Sequence, residues 1–242
     1  MIAEIKGKIT ATGSNLSQRS EDNFTGNFFG HLKYVCIESG LKPILNIVKF
    51  REKVNFNEIL LKNPNYIFWK KYNEYGEIDL IIETENAVIG IEVKYLSGIS
   101  SDDDSIDIKA NQNQLNKYSK LLDLHFKEKI KILILFAPNA IGLPIYQKIL
   151  KLNLCQEVNV GFISWENIFN LLENITDKSN SKFENEILSD LLEYLKIKGF
   201  DKFKKFESNK NIKNHYYFRY THIFKINWEI TSNINRKYFN YG

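Results

Sequence analysis

Asp79, Glu92 and Lys94 place two carboxylates and one ammonium group on two short strands of the segment 76–94. A turn at residues 85–86, where polar residues interrupt an apolar run, sets Asp79 opposite Glu92 in a β-hairpin. Acids that face each other across a hairpin repel unless a positive charge lies between them, and a divalent cation is the simplest such charge. These residue types therefore predict a site for a divalent cation beside an ammonium group.

The same register gives the hairpin one apolar face and one charged face. The predicted apolar pairs are Ile78–Val93, Leu80–Ile91 and Ile82–Ile89. The alternative to a cation site is a solvated charged face with a Glu77–Lys94 ion pair, since charged faces are usually solvated. Gly76, which precedes the acidic strand, is suited to an unusual backbone conformation.

Two further elements follow the hairpin and bear on the choice between a cation site and a solvated charged face. Apolar residues at helical spacing over 114–122 place Gln114 and Tyr118 on one face of a helix, four residues apart. The very apolar run 130–137 predicts a central buried strand. Hairpin, helix and buried strand in this order favour the cation site over the solvated face.

This order of motifs resembles that of the PD-(D/E)xK nuclease superfamily, which includes many restriction enzymes and RecB-like nuclease domains. The Gly-x-x-Asp strand ending at Asp79, the Glu-x-Lys triplet 92–94 and the Gln-x-x-x-Tyr helix 114–118 match its successive motifs. Ile78, not proline, precedes Asp79, a departure that many members tolerate. The resemblance covers about residues 19–175. It implies an α/β, restriction-endonuclease-like sandwich with a mixed central β-sheet flanked by helices.

The resemblance implies a hydrolase, namely an Mg²⁺-dependent deoxyribonuclease acting in restriction, repair or anti-phage defence. DNA is the expected substrate, and Mn²⁺ is expected to substitute for Mg²⁺. Hydrolysis of a phosphodiester needs an in-line water and neutralisation of charge on the phosphoryl oxygens, which carboxylate-bound Mg²⁺ with open positions provides. The expected ligands are Asp79, Glu92 and the backbone carbonyl of Val93. The motifs leave endonuclease and exonuclease activity both open.

The remaining motif residues have expected roles around the metal. Lys94 would orient or deprotonate the attacking water, or stabilise charge in the transition state. Gln114 and Tyr118 would steady the water, the phosphate or the lysine from the neighbouring helix. The alternative to a role in the site is that Gln114 and Tyr118 simply form the polar edge of a helix.

A predicted first helix, over residues 19–39, brings a further acid. Glu21 lies near the azimuth of its apolar stripe, which suggests two interpretations. Glu21 either stabilises the helix N-terminus near a serine cap or faces the metal, as a first-helix glutamate does in many members of the resembled family. Cys36 is predicted to be a small core residue of this helix. The apolar stripe consists of Phe24, Phe28, Leu32 and Val35.

The C-terminal part of the chain is basic and aromatic. Residues 194–242 contain eleven Lys or Arg against three Asp or Glu, and aromatic residues alternate over 216–228 as in an extended strand. This composition suits nucleic-acid binding, although packing on the core or on a second subunit is favoured for the aromatic stripe itself. The predicted organisation is an N-terminal arm (1–18), a nuclease core (19–176) and a C-terminal helix with a basic, aromatic extension (177–242).

The remaining elements and the exclusions complete the expectations. No apolar run approaches a membrane span and no signal-peptide pattern is present, so no membrane partner and a cytoplasmic location are expected. Two cysteines are too few for a four-cysteine iron–sulfur cluster.

A homodimer would suit cutting of both strands of a duplex. The alternative function is a catalytically inactive nucleic-acid-binding or structural subunit that retains the nuclease fold. Further strands are predicted near 43–50, 66–72 and 160–165, and further helices over 166–175 and 183–198.

Overall fold

A six-stranded mixed β-sheet with helices on both faces is the framework of the chain. This computed structural model describes residues 16–56, 59, 61–95, 108–176 and 181–201, apart from the side chains of 16–20 and 108–112. The strands are β1 (Lys49–Phe50), β2 (Asn65–Tyr72), β3 (Gly76–Glu83), β4 (Ala87–Val93), β5 (Ile130–Ala137) and β6 (Asn159–Ser164). The helices are α1 (Leu16–Leu32), α2 (Leu41–Asn46), α3 (Ile108–His125), α4 (Asn139–Lys151), α5 (Trp165–Ile175) and α6 (Lys182–Ile197).

The strand order is β1-β6-β5-β4-β3-β2. Strands β4, β5 and β6 run parallel, whereas the remaining neighbours are antiparallel. The predicted α/β class with a mixed central sheet flanked by helices is therefore confirmed. Strand β5 lies between β4 and β6 and is buried from Ile132 to Ala137, which confirms the central buried strand. It is apolar on both faces because helices cover both faces of the sheet.

The two faces of the sheet pack against different helices. Leu80, Ile91 and Ile134 point into a cluster with side chains of α1, α2, α5 and α6. Leu133 and Phe162 point into the opposite cluster, with side chains of α3 and α4. Strand β4 contributes to both clusters, with Ile89, Ile91 and Val93 on the α1 side and Val88 on the α3 side.

The predicted hairpin register is confirmed near the turn. Leu80 pairs with Ile91, Ile82 pairs with Ile89, and the Thr84 N–H donates to the carbonyl of Ala87 at 2.9 Å. The turn therefore centres on residues 85–86, as the polar interruption predicts.

The predicted Ile78–Val93 pair is wrong. Val93 packs with the α1 face of the sheet, whereas Ile78 packs on the α3 face. The alternation changes because β3 is irregular at Asp79, whose side chain accepts the Val93 N–H in place of a ladder bond. On the other side of β3, Trp69 has a φ of 50° and does not join the pairing that continues through both of its neighbours.

The structure corrects three other expectations. Residues 43–50 form α2 and the two-residue strand β1, not one strand, because Pro43 is tolerated in a first helical turn and the apolar residues fit a helical period. The first helix ends at Leu32, not near residue 39, although Val35 beyond it is still buried. Helix α4 has no counterpart among the predicted elements. The strands near 66–72 and 160–165 and the helices over 166–175 and 183–198 are confirmed within about two residues.

Helix α6 packs its apolar residues into the cluster that contains α1 and α5. These side chains come from Ile187, Leu188, Leu191 and Leu195. The predicted aromatic strand over 216–228 lies outside the described residues. The chain divides into two units after Lys202, and the second, 203–242, also lies outside them. The arm, core and extension stay predictions.

Among the helices that are described, none has both the length and the apolar character needed to cross a membrane.

Candidate active site

A cavity of about 180 Å³ lies at the C-terminal end of β4. It brings together five of the six side chains proposed for the site, from α1, β3, β4 with the residue that follows it, and α3. Tyr118 lies behind the cavity and does not line it. The lining residues are Glu21, Asp22, Glu77, Asp79, Glu92, Lys94 and Gln114.

Glu92 and Lys94 form a buried ion pair at the end of β4. The side chains are two residues apart and therefore project to the same side of the strand. Their exposed fractions are 2% and 12%, and Lys94 Nζ lies 2.7 Å from Glu92 Oε1. The alternative of a solvated face with a Glu77–Lys94 pair is wrong on both counts, since Lys94 pairs with Glu92 and Glu77 lies 3.7 Å from the ammonium of Lys71.

Asp79 faces Glu92 from the neighbouring strand β3. Its Oδ2 accepts the backbone N–H of Val93 at 2.8 Å, which fixes the carboxylate against β4. The strand begins at Gly76, whose φ of 90° is the unusual conformation that the sequence predicts at this glycine. The proposed ligation by the Val93 carbonyl stays a prediction.

One oxygen of the site has no hydrogen-bond partner. Glu92 Oε2 is buried, and no donor among the described residues reaches it. An unsatisfied carboxylate oxygen away from water is costly. The neighbouring Asp79 carboxyl is close enough to share a proton with Glu92. The pair therefore needs either a proton or a cation.

The pKa values follow from burial and from the crowding of like charges. Burial, followed by the charge of Glu92, raises the pKa of Asp79 well above its ordinary value. Burial also raises the pKa of Glu92, although the Lys94 ammonium opposes the shift. For Lys94, burial alone would lower the pKa, but Glu92, Glu21 and Asp79 together raise it. Lys94 is consequently a cation at neutral pH, while the two carboxyls compete for a proton.

Glu21 lies in the second turn of α1, because the helix begins at Leu16. Its interpretation as a first-turn acid at the helix N-terminus is therefore wrong. Instead, Glu21 Oε1 accepts the backbone N–H of Tyr95 at 3.0 Å and the side chain lines the cavity. The arrangement is compatible with the other interpretation, in which this acid faces a metal.

Gln114 and Tyr118 contact each other on α3, as their spacing predicts. Gln114 Nε2 donates to Tyr118 Oη at 2.9 Å, and this hydroxyl donates to the main-chain carbonyl of Glu77. Burial, followed by the nearby charge of Glu92, raises the pKa of Tyr118. The tyrosine, which is 2% exposed, therefore links α3 to β3, and only Gln114 of the two reaches the cavity.

Sequence reasoning missed one residue that lines the cavity and one that holds the main chain beside it, and it misplaced Cys36, which lies outside the cavity. Asp22 lines the cavity, and its position directly after Glu21 was the signal that could have found it. The indole N–H of Trp165 donates to the carbonyl of Lys94 at 2.9 Å, across 71 positions of sequence, and no local pattern indicates this contact. Cys36, predicted to lie in the core, is exposed.

The carboxylates of the cavity fit a hard divalent cation. Within the described ranges, no three His, Cys, Asp or Glu side chains converge closely enough to hold a metal by themselves. Magnesium, however, is usually held by one or two carboxylates, with waters and substrate phosphates completing its shell. Asp79 and Glu92 supply two carboxylates. Glu92 Oε2, which has no hydrogen-bond partner, is the oxygen that a cation could bind without breaking a contact.

Larger clefts lie at the opposite end of the sheet, near the start of β5. Their volumes are about 290 and 530 Å³, and they share Lys131 and Glu157. Lys131 pairs with Asp123 at 2.8 Å, and Lys129 pairs with Glu83 at 2.7 Å. These clefts therefore lack the surplus of buried acid that characterises the cavity at β4.

Fold and site together define an α/β protein with a buried acidic cavity at the end of its central strands. Comparison with known proteins gives no match to a family model, to a curated protein or to a solved structure. The residues of the cavity are thus the basis for inferring what the protein does.

Proposed function

We propose that the chain is a metal-dependent DNA nuclease of the PD-(D/E)xK type. The observation that carries the proposal is the buried Glu92 Oε2, which has no partner although its own carboxylate already pairs with Lys94. Asp79, on the adjacent strand, adds a second carboxylate with a raised pKa. One buried and one half-buried acid, with an ammonium beside them on neighbouring strand ends, are the groups that hydrolysis of a phosphodiester with Mg²⁺ requires.

The arrangement of elements supports a restriction-endonuclease-like core. The acidic strand β3 pairs antiparallel with β4, which carries Glu92, and β4 runs parallel to the buried strand β5. Helix α3, which follows the hairpin, returns Gln114 to the cavity. The motifs from which the resemblance was inferred thus lie on one site.

The residues of the chain have separable roles in this proposal. Mg²⁺ bound by Asp79 and Glu92 would supply an activated water and neutralise charge on the scissile phosphate. Lys94, whose pKa is raised by the surrounding acids, provides a fixed positive charge for the phosphoryl oxygens rather than a general base. Glu21 adds negative charge at the α1 side of the cavity. Gln114 places an amide group at its edge, held by Tyr118.

Cleavage of linear and closed-circular DNA in Mg²⁺ or Mn²⁺ tests the proposal. We expect the wild type to cleave, and Lys94→Ala and Asp79→Asn to lose at least about 100-fold in rate because each removes a group that stabilises the transition state. Lys131→Ala is the matched control, because Lys131 is also largely buried, at 17% exposure, and paired at 2.8 Å, but lies outside the cavity.

The outcomes separate the alternatives. Cleavage of closed circles identifies an endonuclease, and degradation of linear DNA alone identifies an exonuclease. Cleavage that persists in Lys94→Ala would contradict the site. A wild type that binds DNA without cutting it would favour an inactive binding subunit, for which the closed Lys94–Glu92 pair would be a structural ion pair.

A further inference from the structure

The main chain that carries Lys94 is held by four different elements. Residues 93–95 lie where β4 ends, and each of the three makes a hydrogen bond to a residue distant in sequence. The partners belong to β3, β5, α1 and α5. The bonds are Val93 N–H to Asp79 Oδ2 (2.8 Å), Lys94 N–H to the Phe136 carbonyl (2.7 Å), Tyr95 N–H to Glu21 Oε1 (3.0 Å) and Trp165 Nε1–H to the Lys94 carbonyl (2.9 Å).

The Trp165 N–H provides a hydrogen-bond donor for the Lys94 carbonyl, which lies beyond the last residue of β4. Strand β4 ends at Val93, so the Lys94 carbonyl lies beyond the last residue of the strand. A carbonyl left without a donor in a partly buried place would draw the chain towards water or another donor. The indole N–H therefore fixes the carbonyl side of the peptide that follows Lys94, while Glu21 holds its N–H side.

The indole ring is closely packed on several sides. Trp165 is fully buried, and its ring centroid lies 4.5 Å from that of Phe24 and 5.4 Å from that of Phe136. It is the first residue of α5, whose start is fixed by Ser164 Oγ, which accepts the Asn167 N–H at 3.2 Å. The donor thus has a defined position before substrate arrives, which is the condition for precise placement of a reacting group.

We propose that Trp165 is a positioning residue for Lys94. Its N–H holds the Lys94 carbonyl and so sets the direction in which the lysine side chain leaves the strand towards Glu92 and the cavity. The inference rests on the proposed function, in which Lys94 contributes charge to the reaction. Because Trp165 does not line the cavity, it acts on the rate of the chemical step and not on the binding of Mg²⁺ or DNA.

Trp165→Phe is the test, because phenylalanine keeps an aromatic ring in the cluster and removes the N–H. Phe169→Leu is the matched control, because Phe169 is 4% exposed, packs in the same cluster and lies one turn further along α5. We expect Trp165→Phe to lower kcat by about 10- to 100-fold, with KM for DNA and the Mg²⁺ requirement unchanged. Phe169→Leu should lose stability but keep kcat. Equal kcat in Trp165→Phe and wild type, or losses in both variants that follow stability alone, would overturn the proposal.

Hydrogen exchange provides a readout that does not depend on cleavage. We expect the Trp165 indole proton of the wild type to exchange slowly, and the Lys94 and Tyr95 amides to exchange faster in Trp165→Phe than in Phe169→Leu. If the wild type cuts no DNA, the proposed function fails while this result still decides the positioning role. If Trp165→Phe does not fold, exchange of the wild-type indole proton decides it, and a rapidly exchanging proton would overturn the inference.

Discussion

At the scale of single residues, the cavity holds more negative charge than its one lysine can balance. Lys94 approaches only Oε1 of Glu92, and both Asp79 and Glu21 act on it from further away. A buried pair in which one partner carries an unsatisfied oxygen contributes little to stability. In the proposed function, the same surplus of negative charge would favour the entry of a cation, at a cost in stability to the metal-free protein.

The Tyr118 hydroxyl links the helix of the site to its acidic strand, and this link can be measured by a double-mutant cycle. Tyr118→Phe removes the bonds to Gln114 and to the Glu77 carbonyl. We expect it to cost about 1–3 kcal/mol in the free energy of unfolding, because a buried acceptor loses its donor.

Gln114→Ala in the Tyr118→Phe background should cost less than Gln114→Ala in the wild type, since the shared bond is already absent. A coupling of about 0.5 kcal/mol or more in urea unfolding is the expected result. Strict additivity of the two substitutions would contradict the contact. Asn113→Ala, at an exposed position on the same helix, is the control.

At the scale of elements, the irregular pairing at Asp79 is what turns a regular hairpin into a site. In an undistorted strand, Asp79 and Leu80 would simply alternate between the two faces. Here Trp69 takes a left-handed backbone beside Asp79, and the aspartate side chain replaces a main-chain acceptor for Val93. Such strain in a non-glycine residue is typical of functional sites.

This distortion also marks where sequence reasoning stops being sufficient. The period of two in the apolar residues predicted the register from Leu80 to the turn, and helical spacing predicted the contact of Gln114 with Tyr118. The period of two does not predict the change of face at Ile78, because the irregularity at Asp79 involves a side-chain bond to Val93 in another strand. The Trp165–Lys94 bond was inaccessible for the same reason, since it joins residues that only the folded chain brings together.

Helix α4 was missed because Pro144 interrupts a segment whose apolar pattern is otherwise helical. Proline in a helix interior removes a hydrogen bond, so it argues against a helix in sequence. Tertiary packing overrides this cost, since Ile141, Ile145 and Ile149 are all buried against the α3 face of the sheet. Local propensity correctly indicates that Pro144 destabilises a helix, but it wrongly predicts that residues 139–151 do not form one.

The close packing of α4 on the sheet can be tested at Gly142. A Cβ atom at this position would lie 2.2 Å from a ring carbon of Phe162 and 2.8 Å from the Cβ of Ala137. Phe162 is almost completely buried and has no room to move. We expect Gly142→Ala to destabilise the protein by about 1–3 kcal/mol, against the gain of about 1 kcal/mol that alanine normally gives in a helix.

Urea unfolding measures this difference, with Lys148→Ala on the exposed side of α4 as the control. The control should change the free energy of unfolding by less than about 0.5 kcal/mol. A Gly142→Ala protein as stable as the wild type would show that α4 and β6 are more loosely packed than described.

At the scale of the whole molecule, charge separates the C-terminal segment from the rest of the chain. Residues 203–242 contain eight Lys or Arg against two Asp or Glu, whereas the whole chain has a net charge of +4. The cavity itself is acidic, so it cannot attract DNA unless cations are bound. We therefore predict that removing residues 203–242 weakens DNA binding and lowers its dependence on salt, because fewer phosphates are neutralised.

Binding to duplex DNA over a range of salt concentrations measures the effect. The shortened chain should keep its helical circular dichroism, because Phe200 and α6 remain to complete the cluster around Trp165. An unchanged salt slope would assign the DNA contacts to other surfaces, and loss of the folded state would show that the segment is part of the core.

The stability of the whole protein should fall as the pH rises when metal is absent. The pKa values of Asp79 and Glu92 are raised in the folded state from ordinary values of 3.8 and 4.5, first of all by burial. The stabilisation from a group with a raised pKa is complete below its unfolded pKa and is lost as the pH rises through its folded pKa. The loss amounts to about 1.4 kcal/mol for each tenfold difference in proton affinity between the folded and unfolded states. Lys94 contributes no slope here, because its pKa is raised from 10.5 and it stays charged.

Thermal unfolding of the wild type and Asp79→Asn from pH 4 to pH 8 isolates this effect. Asparagine keeps an oxygen that can accept the Val93 N–H but carries no charge, so the two proteins should have similar melting temperatures at acidic pH. Towards pH 8 in a chelator, the wild type should become the less stable of the two. Mg²⁺ should then restore the wild type, since a ligand that binds only the folded state stabilises it, and should leave Asp79→Asn nearly unchanged. Parallel pH profiles of the two proteins would show that Asp79 and Glu92 do not hold an extra proton in the folded state. Equal responses to Mg²⁺ would show that these carboxyls do not bind the cation that the proposed chemistry requires.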